Sequence, residues 1–518
     1  MKSLKNGFLA FAIATTMALT MAVPTTVNAG GILTNTNQNI VFCRTMSRDA
    51  AIGIDGVYSN PAGVAFLNDG WHLSLNWQLA VQTRTIFTTN PDFALGMSNN
   101  GSTIKKYKGE AFAPVIPSIQ TAYNHGRWSF QGNFAVTGGG GKCEFDNGIG
   151  SFESAVGAIA SSLQPLGATG YDVDGYMRGK QYYFGFTLGA AYKLTDDLSV
   201  YAGARLLYGT ASYKAQLSNI QVNTAAGALP FGTFLDNANV TIAGGIAQYA
   251  AGISQIEAGI AQYQAAGAPV PEELTSKLAA AQAAKAQLEG TQQSLQPLDI
   301  YREGVSLMSD QSGLGIAPII GIDYKTGKLN FAAKYEFKTR MRMKNSSTVK
   351  EAHQIAAINK YRDGSCVPED QPALFTVGAQ WSVTPAVRIN AGYHLFFDKS
   401  AHWYNHEEKK LDSNTWEVNC GAEWDVTDKL QVSGGIQKTN YGVSDEYMND
   451  MSFVVSSYSY GLGIGYKISD KMKLNVAYFQ TNYDTYKQDV APVATNHTSH
   501  NEYTRTNRVV GVGLDIDF

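Results

Sequence analysis

The sequence predicts an all-β membrane protein: a 14-stranded antiparallel outer-membrane β-barrel with an N-terminal hatch in the lumen and an extracellular helical-hairpin insertion. Three observations predict it. Hydrophobic residues alternate with period two along most of the 518 residues. Short and long connections between these segments alternate strictly. The N-terminus reads as an export signal, and no later window of about 18 residues is apolar enough for a membrane helix. Composition agrees. Charged residues make up 16% of the chain, against roughly 25% in globular proteins. Glycine is high at 52 and tyrosine at 28, and the mean hydropathy of -0.17 is not that of a polytopic helical protein. A net charge of -3 gives no case for nucleic acid, and four cysteines make no disulfide scaffold.

The export signal comes first. Lys2 and Lys5 precede a mostly apolar stretch over 7–23, and Val27, Asn28 and Ala29 end in a small-residue cleavage site. Residues 1–29 are therefore expected to be a signal peptide. No cysteine follows the cleavage site, so no lipid anchor is expected.

The strands follow. Trp71, Leu73, Leu75, Trp77, Leu79 and Val81 share one face, with His72, Ser74, Asn76 and Gln78 on the other. Tyr458, Tyr460, Leu462, Ile464 and Tyr466 repeat the pattern against serine and glycine. Marking every such segment gives strands near 71–87, 112–124, 127–137, 180–194, 198–216, 311–325, 328–345, 372–383, 386–398, 414–426, 429–440, 454–468, 471–483 and 504–518. Short turns fall at 125–126, 195–197, 326–327, 384–385, 427–428 and 469–470, and a long connection separates each from the next. A sandwich or propeller gives no reason for this alternation. An outer-membrane barrel does, with short turns in the periplasm and long loops outside. In lipid every backbone group must be paired internally, so the sheet must close, with its apolar face toward lipid and its polar face toward the lumen. Pro318 cannot donate within a ladder, so a bulge or a shifted boundary is expected there.

Residues 30–70 are the expected hatch, and 71–518 the barrel. The hatch segment is too apolar for a solvated tail, and folding back into the lumen from the periplasmic side would bury it. The run Ser59-Asn60-Pro61-Ala62-Gly63, followed by Val64-Ala65-Phe66-Leu67, resembles the Asn-Pro-Ala-Gly element of the FadL family. These are outer-membrane transporters of long-chain fatty acids and other hydrophobic compounds. The resemblance implies a fourteen-strand barrel plugged by a hatch carrying Asn60, Pro61, Ala62 and Gly63. It also implies capture of ligand by apolar outer loops, a site above the hatch, and a side exit at a kink of the third strand. The glycines Gly138, Gly139 and Gly140 end that strand, and Gly132 lies earlier in it; glycine tolerates such a bend and leaves backbone unpaired.

Apolar hatch residues Ile32, Leu33, Val41, Phe42 and Ile54 are candidates to line a ligand path. Capture of a carboxylate needs a cation. Arg44, Arg48, Arg205 and Arg340 are the candidates, and strand parity points the last two inward. Each has a competing role as a lumen salt bridge, with an acid such as Asp49 or Glu336.

The loop at 217–310 is the largest insertion. Ile242, Ile246, Tyr249, Ile253, Ile256, Ile260 and Tyr263 form a heptad seam. The run 267–271 breaks the helix, and Leu274, Leu278, Ala281, Leu288 and Leu295 continue on a second one. An antiparallel hairpin is expected, with arms of roughly 35–40 Å. A further helix is expected over 152–166.

No metal-spaced Cys/His cluster, phosphate loop or Gly-x-Ser-x-Gly elbow appears, so no cofactor or metal is expected. Cys143 and Cys366 both fall in outer loops and are candidates to pair, whereas Cys420 faces lipid. The expected role is passive transport of hydrophobic small molecules, with outer-membrane lipid and lipopolysaccharide as surroundings. The terminal Phe518 resembles the signal read by the barrel-assembly machinery, and a monomer is expected. A surface adhesin using the helical insertion and an outer-membrane lipid hydrolase are the alternatives.

Overall fold

The computed structural model describes residues 39–350, 356–491 and 497–518. The expected signal peptide and the expected lining residues Ile32 and Leu33 lie outside them. Fourteen strands form the wall. They are β1 (Gly70–Thr89), β2 (Ile104–His125), β3 (Trp128–Phe145), β4 (Ala168–Lys193), β5 (Leu198–Thr224), β6 (Val305–Thr326), β7 (Leu329–Glu336, resuming at Arg342–Lys350), β8 (Leu374–Thr384), β9 (Val387–Phe396), β10 (Trp416–Asp425), β11 (Leu430–Asn440), β12 (Ser457–Ser469), β13 (Met472–Tyr483) and β14 (Ser499–Asp517). Every neighbouring pair is antiparallel, and β1 pairs with β2 on one edge and β14 on the other, so the sheet closes. Three short strands, Gly227–Pro230, Cys366–Pro368 and Tyr486–Val490, extend its outer end. No helix among the described residues is long and apolar enough to cross a membrane.

The two faces separate as the alternation predicts. Leu75, Trp77, Leu188, Leu314, Ile316 and Leu462 are exposed outward, while Ser74, Gln78, Gln120, Asn390 and Asn475 are buried inward. Rings at the short-turn end pack along the wall, Trp71 against Tyr123 and Trp128 against Tyr192, a girdle at the periplasmic interface. Several strands run further outward than the hydrophobic pattern does. β4 begins at Ala168 rather than near 180, because above the lipid a ladder no longer needs an apolar face and residues such as Asp172 and Lys180 are tolerated.

Pro318 sits inside β6, opposite Ala204, and its carbonyl accepts from the Phe337 N–H at 3.0 Å. In an antiparallel ladder the N and C=O of one residue point the same way, so the missing donor faces the interruption of β7. That interruption shifts the parity of β7: Glu336 is buried, but beyond it Thr339 and Met341 are buried and Arg340 is exposed. Arg340 thus points away from the lumen, correcting the parity expectation. All four cysteines are free. Cys143 is buried and Cys366 exposed, so the expected bridge is absent.

Helix α1 (Ile40–Thr45) and the short turns Gly56–Ser59 and Gly63–Phe66 fill the lumen. At the outer end α2 (Gly150–Ser162) packs Val156 and Ile159 against the root of the hairpin, where Phe231, Phe234 and Leu235 meet Leu298 and Tyr301. The hairpin is α3 (Phe231–Ala265) and α4 (Glu272–Leu295). Its first arm is longer than the seam suggested, about 52 Å at 1.5 Å per residue.

Candidate functional site

The hatch is bound to the wall residue by residue. Asn39 caps α1, accepting from the Val41 N–H at 2.7 Å, and its amide donates to Gln120 on β2 at 2.9 Å. Asn60 donates to Asp323 on β6 at 2.5 Å while its own oxygen accepts from the Gly63 N–H at 3.2 Å. A Cβ on Gly63 would collide with the Asn60 amide, which is why a glycine closes the motif. The carbonyls of Pro61 and Ala62 accept from Gln131 on β3 and Ser199 on β5, each at 2.7 Å. The Asn-Pro-Ala-Gly run therefore fastens the hatch to three separate strands. Replacing Asn60 by alanine leaves the buried Asp323 carboxylate short of a donor. A loss of about 1–3 kcal/mol in hatch retention is expected, read as faster proteolysis of the hatch in the folded barrel.

Charges complete the attachment. Arg48 bonds Asp55 at 2.7 Å and Glu423 on β10 at 3.0 Å. Arg44 donates to Ser433 at 2.7 Å and lies 3.6 Å from the same Glu423. Burial pushes the Arg44 guanidinium down from its usual range, with Glu423 opposing. Burial also acts on Arg48, but Asp55 and Glu423 outweigh it and raise that group. His394 on β9 bridges Asp49 of the hatch at 2.9 Å and Glu417 of the wall at 2.8 Å. Arg205 pairs with Glu336 at 2.6 Å and lies over the Tyr58 ring. Three of the four candidate cations are thus already neutralised, and the fourth, Arg340, points outward.

The wall itself is interrupted between β2 and β3. They pair regularly up to Ser118 and Ala135, and again at Glu110 and Glu144, but residues 111–117 and 136–143 between them are unpaired. Two prolines, Pro114 and Pro117, remove donors from this part of β2, and β2 also slips register against β1 beside Pro114. On the other side β3 slips against β4 on both sides of Gly138. Gly139 (φ 100°) and Gly141 (φ 68°) adopt conformations that favour glycine, and a Cβ on Gly139 would strike the Gln181 carbonyl. Gly138, Gly139 and Gly140 lie within the interruption. Gly132 does not: it pairs with Thr121 and Leu188 in regular ladders.

A cavity of about 280 Å³ runs through this gap, near the lower end of small-molecule sites. Its wall side is apolar, with Ala80, Phe112, Val115, Ile116, Val136 and Phe184; its lumen side is polar, with Gln82, Gln437, Ser459, Thr481, Arg505 and Asn507. Below it, Ile40, Cys43 and Met46 of the hatch pack on Ala80, Phe479 and Val509, with Phe42 half-buried alongside. Phe42 also lines a small pocket with Tyr58, His394 and Phe396. Val41 is buried and lines neither of these two cavities, and Ile54 packs with Val57 and Val64 against Ala122 of β2.

A further cation, Arg505, lines the cavity on its lumen side. Arg84 on β1 is directly opposite Arg505 on β14. Neither makes an ion pair among the described residues. The Nε of Arg84 and the Nε and Nη1 of Arg505 are buried with no hydrogen-bond partner. Arg505 is held by a 3.4 Å bond to Gln82 and lies over the Tyr483 ring at 4.9 Å. Paired arginines without a carboxylate, one of them on the polar lumen side of a cavity whose wall side is apolar, suit the anionic head of an amphipathic molecule. Sequence reading passed over both. Their inward parity was available, but their pairing across β1 and β14 was not.

A structure of a Pseudomonas aeruginosa FadL homologue superimposes with a TM-score of 0.60, at 13% identity, over 95% of this chain and 100% of that one. This chain has the FadL fold. The Pseudomonas putida toluene transporter TodX agrees, with a TM-score of 0.52, 13% identity, and coverage of 94% of this chain and 100% of that one. No family model and no curated protein matches the sequence. In the FadL fold seen here, an apolar outward face on a closed fourteen-strand wall makes the chain an outer-membrane barrel.

Proposed function

We propose that this barrel admits hydrophobic small molecules with an anionic head group, of the long-chain fatty acid type, and releases them sideways into the outer membrane. The observation that carries this reading is the unpaired stretch between β2 and β3, joined to the lumen by the 280 Å³ cavity. An open ladder at lipid depth costs several kcal/mol for each unsatisfied group and is tolerated where it lines a cavity. An acyl chain gains about 0.8 kcal/mol for each CH₂ it buries, so an apolar gap leading straight to lipid is a favourable way out. The Arg84 and Arg505 pair supplies the head-group contact, and the hatch closes the lumen below it. The FadL homologue supports transport of a hydrophobic cargo, and the toluene transporter shows that a neutral cargo suits the same fold.

The test is uptake of radiolabelled oleate by cells with and without the protein, at matched surface levels of other barrels. Protein-dependent uptake is expected. Its absence, with protein-dependent uptake of toluene in the same cells, would replace the anionic cargo by a neutral one.

A further inference from the structure

We infer that the outward face of β2–β5, at and above the outer end of the side gap, docks a phosphorylated glycolipid of the outer leaflet. Six bases point outward there: Lys106 and Lys108 on β2, Lys142 on β3, Arg178 and Lys180 on β4, and Lys214 on β5. Two carboxylates accompany them, and both are engaged: Glu110 by Lys108, and Glu144 by Lys142 and Tyr176. Asp174 stands further from the membrane, bonded to Asn219.

Counter-charge is present but outnumbered: Glu144, bonded by Lys142 and Tyr176, also faces Arg178 across the β3–β4 ladder, and the exposed Asp310 stands one strand beyond on β6. Lys142 is directly opposite Lys180, and Arg178 directly opposite Lys214. Like charges facing each other across a ladder are destabilising. Lys106, Arg178, Lys180 and Lys214 make no ion pair among the described residues, and the Nε of Arg178 is buried without a partner. Three of the lysines lie over aromatic rings instead: Lys106 over Phe87, Lys180 over Tyr182 and Lys214 over Tyr176, at 5.2–5.6 Å. That holds the ammonium groups close to the wall.

Height and the surface below fix the class of occupant. Lys142 is about 14 residues along β3 from the girdle residue Trp128. At about 3.3 Å per residue and a tilt near 45° this is a climb of roughly 33 Å. The bases therefore stand just above the apolar band, which is about 25 Å tall in such barrels, at the level of outer-leaflet head groups. Directly beneath them Phe134, Phe184, Phe186 and Tyr208 form a continuous outward row, with ring centroids 4.8–6.5 Å apart. A lipid with phosphates at the top and several acyl chains below matches both surfaces. Its chains would lie beside the gap through which cargo leaves.

The experiment is native mass spectrometry of the delipidated full-length barrel, with lipid A added in its bis-phosphorylated form or in a dephosphorylated form with the same acyl chains. The wild-type barrel is expected to retain the phosphorylated lipid preferentially. Arg178→Gln with Lys180→Gln and Lys214→Gln is expected to weaken that retention roughly a hundredfold, and Lys180→Gln alone roughly fivefold. Unchanged heat-modifiable mobility on gels shows that the variants are folded. Equal retention of the two lipids by wild type, or an undiminished preference in the folded variants, would overturn the assignment.

Discussion

Replacing Gly421 by valine is expected to unseat the hatch and make the outer membrane permeable to large polar solutes. The reason is steric. α1 lies in a trough of lumen-facing glycines on β10–β14, and a side chain at Gly421 or Gly435 would occupy the position of the Thr45 carbonyl. A Cβ at Gly461 would collide with the Cys43 carbonyl in the same way. These obstacles are backbone atoms, so no rotamer change relieves them. Moving α1 also separates Arg44 and Arg48 from Glu423, leaving buried charge unpaired, a loss of about 3–5 kcal/mol for a broken buried pair. A fourteen-strand barrel without its plug is wide enough for an aqueous path. Cells carrying Gly421→Val should become at least about tenfold more sensitive to a bulky polar antibiotic such as vancomycin, if at least about 1.4 kcal/mol of closure is lost. Gly252→Val, on the hairpin with open space around it, should change nothing. Equal sensitivity of the two variants would show that α1 does not seal the lumen.

The second large effect concerns the arginine pair. Arg84→Gln with Arg505→Gln keeps much of the side-chain volume and removes both charges. Hydrogen bonds to a charged group are worth about 1.5–3 kcal/mol, so oleate uptake at low concentration should fall roughly 10- to 100-fold. Uptake of toluene, which has no head group, should be unchanged. An equal loss for both cargoes would mean that the arginines support the cavity rather than read a carboxylate. The pair should also make binding of a long-chain carboxylate to the purified barrel sensitive to salt, because both guanidiniums attract it by charge.

The barrel was legible in the sequence because its physics is local. Each strand carries its own apolar face, as Trp71 to Val81 does, and each turn its own short signal. The hatch was legible through Asn60-Pro61-Ala62-Gly63, although not the reason for it, since Asp323, Gln131 and Ser199 come from three strands far apart in the chain. The outer strand extensions were hidden because polar residues on both faces break the alternation there. The gap was half visible. Gly138 to Gly140 marked it, while Pro114 and Pro117 carried an equal signal on β2 and were not used. For three of the cations the competing role as a lumen salt bridge is the one the structure shows, but the partner acids were only partly foreseen. Arg44, Arg48 and Arg205 are neutralised by Glu423 and Glu336 from other strands, and Arg340 is turned outward by an irregularity that strand parity does not foresee. Which bases stay unpaired is a property of register, and register appears only when the sheet closes.

The most direct test of sideways release is to stitch the gap shut. Continuing the Glu110–Glu144 register one step inward puts Ala111→Cys across the open gap from the native Cys143. Pro117→Cys with Val136→Cys does the same one step inside Ser118 and Ala135. A disulfide needs the Cα spacing of antiparallel ladder partners, so each bridge forms only by drawing the two strands together across the gap. With both bridges confirmed by peptide mass, oleate uptake under oxidising conditions should fall to the level of cells lacking the protein and recover on reduction. Full uptake through the stitched barrel would contradict release through the wall between β2 and β3.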